Sequence, residues 1–362
     1  VKDLTIAHID TETTWRGGEK QVLELIKGLN RNGQKNILLC KSSSELARRA
    51  KDNGIEVITL PFRGEWDIQS ALMVRSYVKK KTVDIVHTHT SHAHTIALIA
   101  LWRIDTCKLI VSRRVDFHVH NYFSKNFKYR KRVSKIITVS DAIQRILIED
   151  GIKPELLVTI RSGFVPSEFE KKDIHNLREK LGFSKDTIVI STVAALAPHK
   201  AHHVLLKAAS IVVKKHPSVK FLFAGEGEMK ARIEKDITNL GLNNSVILLG
   251  FVDNIGTVYG SSDIFALSSE EEGLCSSLFD AMYFGLPIVA TSGGGIPEIV
   301  QDGINGFIVP VNDYMSFSDR LNILIEDRAK REKMGLRASD IVKKNTIEQT
   351  IEKTLAVYRE LY

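Results

Sequence analysis

Short apolar runs alternate with amphipathic ones along most of the chain, and that alternation leaves few folds open. In the first half, residues 4–9, 34–40, 55–60, 85–89, 107–112 and 135–140 read as strands. Residues 19–29, 45–53, 67–80 and 93–103 instead repeat apolar side chains at helical spacing. A second series places strands at 187–193, 220–224, 246–249, 264–267 and 288–290, with helices at 203–213, 230–240 and 277–284. Strands that reach one another through helices predict parallel sheets covered on both faces, an α/β class of doubly wound, Rossmann-like domains. The 362 residues exceed one ordinary core, and the polar, charged stretch 166–185 separates the two series. The predicted domains are therefore 1–165 and 166–345. Open parallel sheets bind ligands beyond the carboxyl ends of their strands, so the chemistry is sought in the loops that follow strands.

Composition narrows the class. Charged residues at 26% and hydrophobic ones at 43% describe a globular chain. No apolar run approaches the roughly 20 residues that span a bilayer. No charged-then-apolar leader opens the chain. Cys40, Cys107 and Cys275 are widely spaced and odd in number, which fits a reducing compartment without a cysteine metal cluster. A cytoplasmic protein is expected.

Charge is uneven. Residues 1–170 hold 28 Lys+Arg against 19 Asp+Glu, or +9, so the remainder of a chain of net charge +8 carries −1. The densest stretch is 121–132, where Phe123 and Phe127 interleave with Lys125, Lys128, Arg130, Lys131 and Arg132. Such a segment can lie peripherally on the anionic inner face of a membrane. The plainer alternative is a surface helix with solvated bases. Nucleic acid is not expected as a partner, since no recognised binding motif accompanies the charge.

The chemistry concentrates at residues 268–298. Glu272 and Asp280 flank a glycine-led turn that runs into a helix, with Asp280 expected two helical turns in. The first backbone N–H groups of that helix, near Cys275, Ser276, Ser277 and Leu278, are free to take an anion. Carboxylates can hold hydroxyls while the turn holds phosphate, which suits a nucleotide-sugar; the alternative is a capped helix with favourable acids. Gly285-Leu286-Pro287 and Gly293-Gly294-Gly295 follow, with Glu298 expected to open a further helix.

This segment resembles the paired-glutamate motif of retaining glycosyltransferases of family 4, which have the two-domain GT-B fold. The resemblance covers essentially the whole chain. It implies two Rossmann-like domains facing an interdomain cleft, the first on the acceptor side and the second binding the donor. It also implies a last helix, 346–362, that packs back on the first domain. Glu272 matches the first glutamate, near the donor sugar; Asp280 replaces the second, which binds the ribose, and is one methylene shorter. Gly17 and Gly18 match the Gly-Gly loop after the first strand. His87-Thr88-His89 matches a His-x-His strand end where neutral imidazoles bind hydroxyls. The segment through His92 and His94 tempts a metal reading, with His89 and His92 on one face, but no acidic or cysteine partner accompanies it. After the fifth strand, relatives place a histidine; here Arg113 and Arg114 come first and His118 later. Arg114 suits a leaving diphosphate and His118 a hydroxyl or the acceptor proton. Lys200 matches the phosphate-gripping lysine, whereas Ala195 and Ala201 stand where the family has arginine and glycine. Gly225 and Val252 match turns that meet the nucleotide.

The implied activity is retaining, metal-independent transfer of a sugar from a UDP-, GDP- or ADP-sugar to an acceptor hydroxyl. The acceptor is a saccharide or a lipid-linked glycan of the lipopolysaccharide or cell-surface type. No cofactor is expected. Lys200 and helix-start N–H groups stabilise the leaving diphosphate, Glu272 orients the sugar, and domain closure excludes water. The alternatives are a GT-B sugar-nucleotide isomerase or phosphorylase, or a non-catalytic sugar-nucleotide sensor.

Overall fold

A computed structural model describes residues 3–115, 118, 128–129, 132–166, 169 and 177–362. The chain divides into two compact units. The first comprises Val1–Gly163 and Ile347–Tyr362, the second Phe164–Thr346.

The first unit runs β1 (Thr5–Ile9), α1 (Gly17–Arg31), β2 (Lys35–Cys40), α2 (Glu45–Asp52), β3 (Glu56–Thr59), α3 (Ile68–Lys80), β4 (Ile85–Thr88), α4 (Ser91–Ala100), β5 (Lys108–Arg113), β6 (Val133–Thr138), α5 (Asp141–Glu149) and β7 (Leu157–Thr159). Its strands lie in the order β3-β2-β1-β4-β5-β6-β7, all parallel. The order reverses at β1/β4, the topological switch point. Polar residues start the helices: Thr90 accepts from the Ala93 N–H and Ser140 from the Ile143 N–H, filling donors that a helix start leaves open.

The second unit runs α6 (Leu177–Lys180), β8 (Val189–Val193), α7 (His202–Lys215), β9 (Lys220–Ala224), α8 (Lys230–Asn239), β10 (Val246–Gly250), α9 (Gly256–Gly260), β11 (Ile264–Leu267), α10 (Ser276–Tyr283), β12 (Ile288–Thr291), β13 (Gly306–Val309), α11 (Tyr314–Glu326) and α12 (Arg328–Val342). The sheet order is β10-β9-β8-β11-β12-β13, with its switch at β8/β11. Alternate residues of one strand face opposite ways. Ile264 and Ala266 of β11 join one buried cluster, with Phe221, Phe223, Leu205 and Phe317. Phe265 and Leu267 join another, with Phe279, Met282 and Ile288. Both faces are therefore covered, which is why these strands read as continuous apolar runs.

The last helix, α13 (Ile347–Glu360), returns to the first unit and packs on α1. Gly28 lets Ile351 sit directly on the α1 backbone, where any Cβ would collide with it. Tyr358 is wholly buried. Burying side chains such as Ile351 and Leu355 contributes about 1.5–3 kcal/mol each.

Candidate active site

In the second unit the residues singled out from sequence gather on the carboxyl edge of the sheet at its switch point. Lys200 closes a single 3-10 turn, Pro198–Lys200, after β8; Glu272 lies in the loop after β11. Lys200 Nζ is ion-paired with Glu272 Oε1, and both side chains are largely buried. The same carboxylate oxygen accepts from Ser269 Oγ at 2.8 Å. Ser268 Oγ donates to the carbonyls of Lys200 and Ala201 at 3.0 and 3.1 Å, and the Glu270 N–H donates to the His199 carbonyl at 2.8 Å. The two loops are thus tied together through backbone as well as charge. A third loop joins them: the Gly295 N–H donates to the Glu272 carbonyl at 2.7 Å. Gly293 permits this approach, because a Cβ there would stand 2.5 Å from the Glu270 carbonyl oxygen.

Helix α10 starts beside Glu272. Cys275 occupies the N-cap without a side-chain capping bond to the helix, its Sγ lying 3.0 Å from Ser277 Oγ. The backbone N–H groups of Ser276 and Ser277 precede the first intrahelical bond and are left open, as helix starts leave them. Leu278 packs inward. Asp280 is buried, but it is the fifth residue of an eight-residue helix, so it stands little more than one turn from the helix start rather than two. Gly225 and Val252 follow β9 and β10 on the same edge. Gly225 has φ +143°, and a Cβ there would strike the Ala194 carbonyl. Glu298 ends a single 3-10 turn, Ile296–Glu298, and opens no α-helix; the next one begins at Tyr314.

The first unit has a comparable edge at its own switch point. Thr11 Oγ1 and Thr90 Oγ1 meet at 2.7 Å across β1/β4, and Gly17 and Gly18 open α1. Beside Gly18 lies Arg114, whose aliphatic stem stands 3.8 Å from the place a Gly18 Cβ would take. Its charge acts on two carboxylates of this edge, Asp10 and Glu19. Burial pushes Asp10 up to about 7 and raises Glu19, while Arg114 is itself lowered by burial despite those carboxylates. Glu19 Oε2 accepts from the Arg16 N–H at 2.7 Å, filling one backbone donor ahead of α1. Arg113 is buried.

His118 is placed elsewhere in this unit: its Nδ1 lies 3.1 Å from Asp150 Oδ1, at the C-terminal end of α5. Arg114 and His118 thus sit in different surroundings, the first among the charges of Asp10 and Glu19, the second on Asp150. Most of the basic run 121–132 lies outside the described residues; of it, Tyr129 stacks edge-on to His94, Lys128 pairs with Glu65, and Arg132 donates to the Ile104 and Cys107 carbonyls.

The His-x-His strand end does not join His92, which is exposed, but His8 of β1. His8 Nδ1 is 3.0 Å from His89 Nε2, and His8 Nε2 is 3.0 Å from Asn36 Oδ1. His87 bridges the Tyr358 hydroxyl at 2.7 Å and Ser112 Oγ at 2.8 Å. Because Asn36 Oδ1 can only accept, His8 donates from Nε2 and accepts at Nδ1 from His89, leaving His89 Nδ1 as a lone pair with no partner among the described residues. Burial pulls His8 down to about 4 and His87 and His89 well below the ordinary imidazole value. The ring nitrogens are close enough to surround a cation. All but His89 Nδ1 are however already used in this neutral chain, and the positive Arg114 nearby opposes a second charge.

Comparison with known proteins follows the same division. Residues 173–340 match the family described as glycosyl transferases group 1, and residues 15–168 match Glycosyltransferase Family 4. The chain belongs to the group 1 glycosyltransferases. Bacillus subtilis EpsD is 30% identical over 182 residues, which span 50% of this chain and about half (48%) of that protein's length. The Escherichia coli UDP-Gal:alpha-D-GlcNAc-diphosphoundecaprenol alpha-1,3-galactosyltransferase is 25% identical over 346 residues, 90% of this chain and 89% of that one. The crystal structure of Anabaena HepE in complex with UDP-glucose superposes with a TM-score of 0.85 at 24% identity, covering 98% of this chain and 99% of the other. The fold of this glycosyltransferase is GT-B, with its two parallel-sheet α/β domains.

Three groups of the glycosyltransferase's two edges escaped the sequence reading: Asp10, His8 and Ser269. Asp10 and Ser269 each follow an apolar strand into a loop, the position where ligand groups belong, and that signal could have found them. His8 lies inside a strand, and only its pairing with β4 reveals its neighbours.

Proposed function

We propose that this glycosyltransferase is a retaining, metal-independent enzyme that moves a sugar from a nucleotide-diphosphate donor to a hydroxyl of a lipid-linked saccharide, in the synthesis of a lipopolysaccharide or other cell-surface glycan. The observation that carries the reading is the Lys200–Glu272 pair at the β8/β11 switch, set beside the open N–H groups of Ser276 and Ser277. Bond cleavage leaves negative charge on the nucleotide diphosphate. A lysine ammonium and a helix start are the groups that stabilise such charge as it develops. Glu272 accepts from donor-sugar hydroxyls, and Asp280 faces the ribose. Gly225 and Val252 border the nucleotide.

On the first unit, Gly17, Gly18 and Arg114 serve the phosphates or the acceptor. His89 Nδ1, a buried acceptor, suits a hydroxyl donor. His118, tied to Asp150, is the weaker candidate for the reacting centre. Among donors, UDP-sugars come first, because HepE is seen with UDP-glucose and the E. coli relative is named for UDP-Gal. That relative's diphosphoundecaprenol acceptor, together with the basic first half of the chain, supports the lipid-linked acceptor.

The test is a panel of UDP-, GDP- and ADP-sugars, read by thermal shift and nucleotide release, with Glu272→Ala as control and EDTA in parallel. One donor that stabilises the protein and is slowly hydrolysed, with hydrolysis lost in the variant and kept in EDTA, is the expected result. Product from an acceptor glycolipid should keep the donor's anomeric configuration by NMR. Turnover without an acceptor sugar, or dependent on free phosphate, points to an isomerase or phosphorylase; donor binding without any release points to a sensor.

A further inference from the structure

The first half of helix α3 is largely apolar on the side that faces away from the unit, before Ser76, Lys79 and Lys80 turn its second half polar. Its inward face is Ser70, Ala71, Val74 and Val78, all buried. A surface helix so covered should turn polar residues outward. Instead Ile68 is 63% and Leu72 58% exposed, one turn apart on one side, and Met73 next to them is 42% exposed. Two tryptophans border this side: Trp66, just before the helix, is 58% exposed and Trp102, just after α4, is 64% exposed.

The backbone that carries these side chains is firmly held. Asp67 caps α3 by accepting from the Ser70 N–H at 3.0 Å, and Glu65 accepts from Thr95 Oγ1 of α4 at 2.8 Å. Arg75, one turn beyond Leu72, donates to the carbonyls of Ala100 and Trp102 at 2.9 and 2.6 Å, which ties the end of α4 to α3. Arg132 holds the same turn from below through the Ile104 and Cys107 carbonyls. Five large apolar side chains kept in water by a bonded scaffold mark a surface that something else covers.

Charge says what covers it. Arg63, Lys79, Lys80 and Arg103 are exposed around the patch. Glu65 and Asp67, the acids within it, are occupied by Thr95, Lys128 and the α3 start. An apolar centre with tryptophans and a basic fringe is complementary to an anionic bilayer, whose headgroups take cations and whose interface favours indole rings.

We propose that Trp66, Ile68, Leu72, Met73 and Trp102 form a membrane-docking face that seats the first unit on an anionic lipid surface. The inference rests on the lipid-linked acceptor reading and names the surface that reading requires. It is tested with the full chain by flotation on vesicles of phosphatidylcholine and phosphatidylglycerol, 1:1, against phosphatidylcholine alone. Tryptophan emission is followed on the same vesicles carrying brominated lipid. The chain has three tryptophans; Trp15, half-buried under Arg49, is the internal reference and is removed as Trp15→Phe to isolate the other two. Binding to anionic vesicles with quenching of Trp66 and Trp102 is expected, and Trp66→Ser/Trp102→Ser or Leu72→Ser/Met73→Ser should weaken it by roughly tenfold or more without lowering the melting temperature. Wild-type binding that both double variants retain would overturn the docking face and leave the lipid-linked acceptor standing. Absence of vesicle binding in a protein that still hydrolyses its donor would overturn both, while sparing the transferase. A concentration-dependent dimer dispersed by the same variants would overturn the proposal in favour of a second copy.

Discussion

Removing Lys200 tests whether the pair at the β8/β11 switch is a real buried ion pair. Lys200→Met keeps most of the aliphatic volume but leaves the Glu272 carboxylate with Ser269 Oγ at 2.8 Å in a largely buried place. Deleting one partner of a buried pair costs about 3–5 kcal/mol, mostly because the surviving charge is stranded. The side chains keep 13% and 8% of their exposure, so the lower end, about 3 kcal/mol, applies. For a unit of this size that lowers the melting temperature by roughly 6–12 °C. Glu272→Gln should cost less, about 1 kcal/mol, since a lysine can swing toward water and the amide still accepts from Ser269. The diagnostic is the double variant: adding Glu272→Gln to Lys200→Met should raise stability again by about 2 kcal/mol, the signature of coupled sites. Differential scanning calorimetry of the four proteins closes the cycle. If Lys200→Met melts within about 1 °C of wild type, or the two losses simply add, the pair has no energetic reality. With Lys200 proposed for the donor diphosphate and Glu272 for the donor sugar, all three variants should also lose the thermal shift that the donor gives.

Ala201 adopts φ 45° and ψ 43° immediately after Lys200, where the family has glycine. Ala201→Gly should therefore stabilise by up to about 1 kcal/mol, and a loss in chemical denaturation would refute the strain argument. Gly28→Ala should destabilise by about 1–3 kcal/mol through Ile351, yet cost nothing further in an Ile351→Ala background, as read by urea denaturation. Acid acts on the first unit in two opposite ways. The unfolded chain takes up protons on histidine near pH 6.5, whereas folded His8 resists to about 4, so acidification through that window removes on the order of 3 kcal/mol, and buried His87 and His89 add to the loss. Asp10 keeps its proton up to about 7 when folded and only to 3.8 when unfolded, so between those values acid favours the fold. His8→Asn should flatten the decline in melting temperature between pH 6.5 and 4, and Asp10→Asn should steepen it; the reverse order would refute the assignment.

What could be read from the chain follows the reach of each interaction. Most strands through residue 290 were legible because their faces are buried on both sides, which forces long runs such as Ile37-Leu38-Leu39-Cys40. Strand β7, three residues at the sheet edge with Val158 and Thr159 only half-buried, has no such run and went unread. So did β13, only four residues long at the edge of its sheet, and the helices α11 and α12 that follow it. Within the site, Lys200 and Glu272 were legible from the motif, but their direct pairing was not: it depends on β8 and β11 lying side by side at the switch, a contact across 72 residues. His8 shows the limit most clearly. In a strand of apolar neighbours it reads as core, and core it is, wholly buried. Yet the parallel register His8↔His87 also makes it the group that fixes the tautomer of His89. A side chain buried as core can thus also decide where its neighbour carries its proton. A neutral His8 holds His89 with its Nδ1 lone pair free, whereas His8→Phe would leave the His89 tautomer unassigned while preserving the packed strand. Such a variant should fold and bind donor as wild type does, but lose transfer to the acceptor. Equal transfer rates in the two proteins would reduce the triad to core packing.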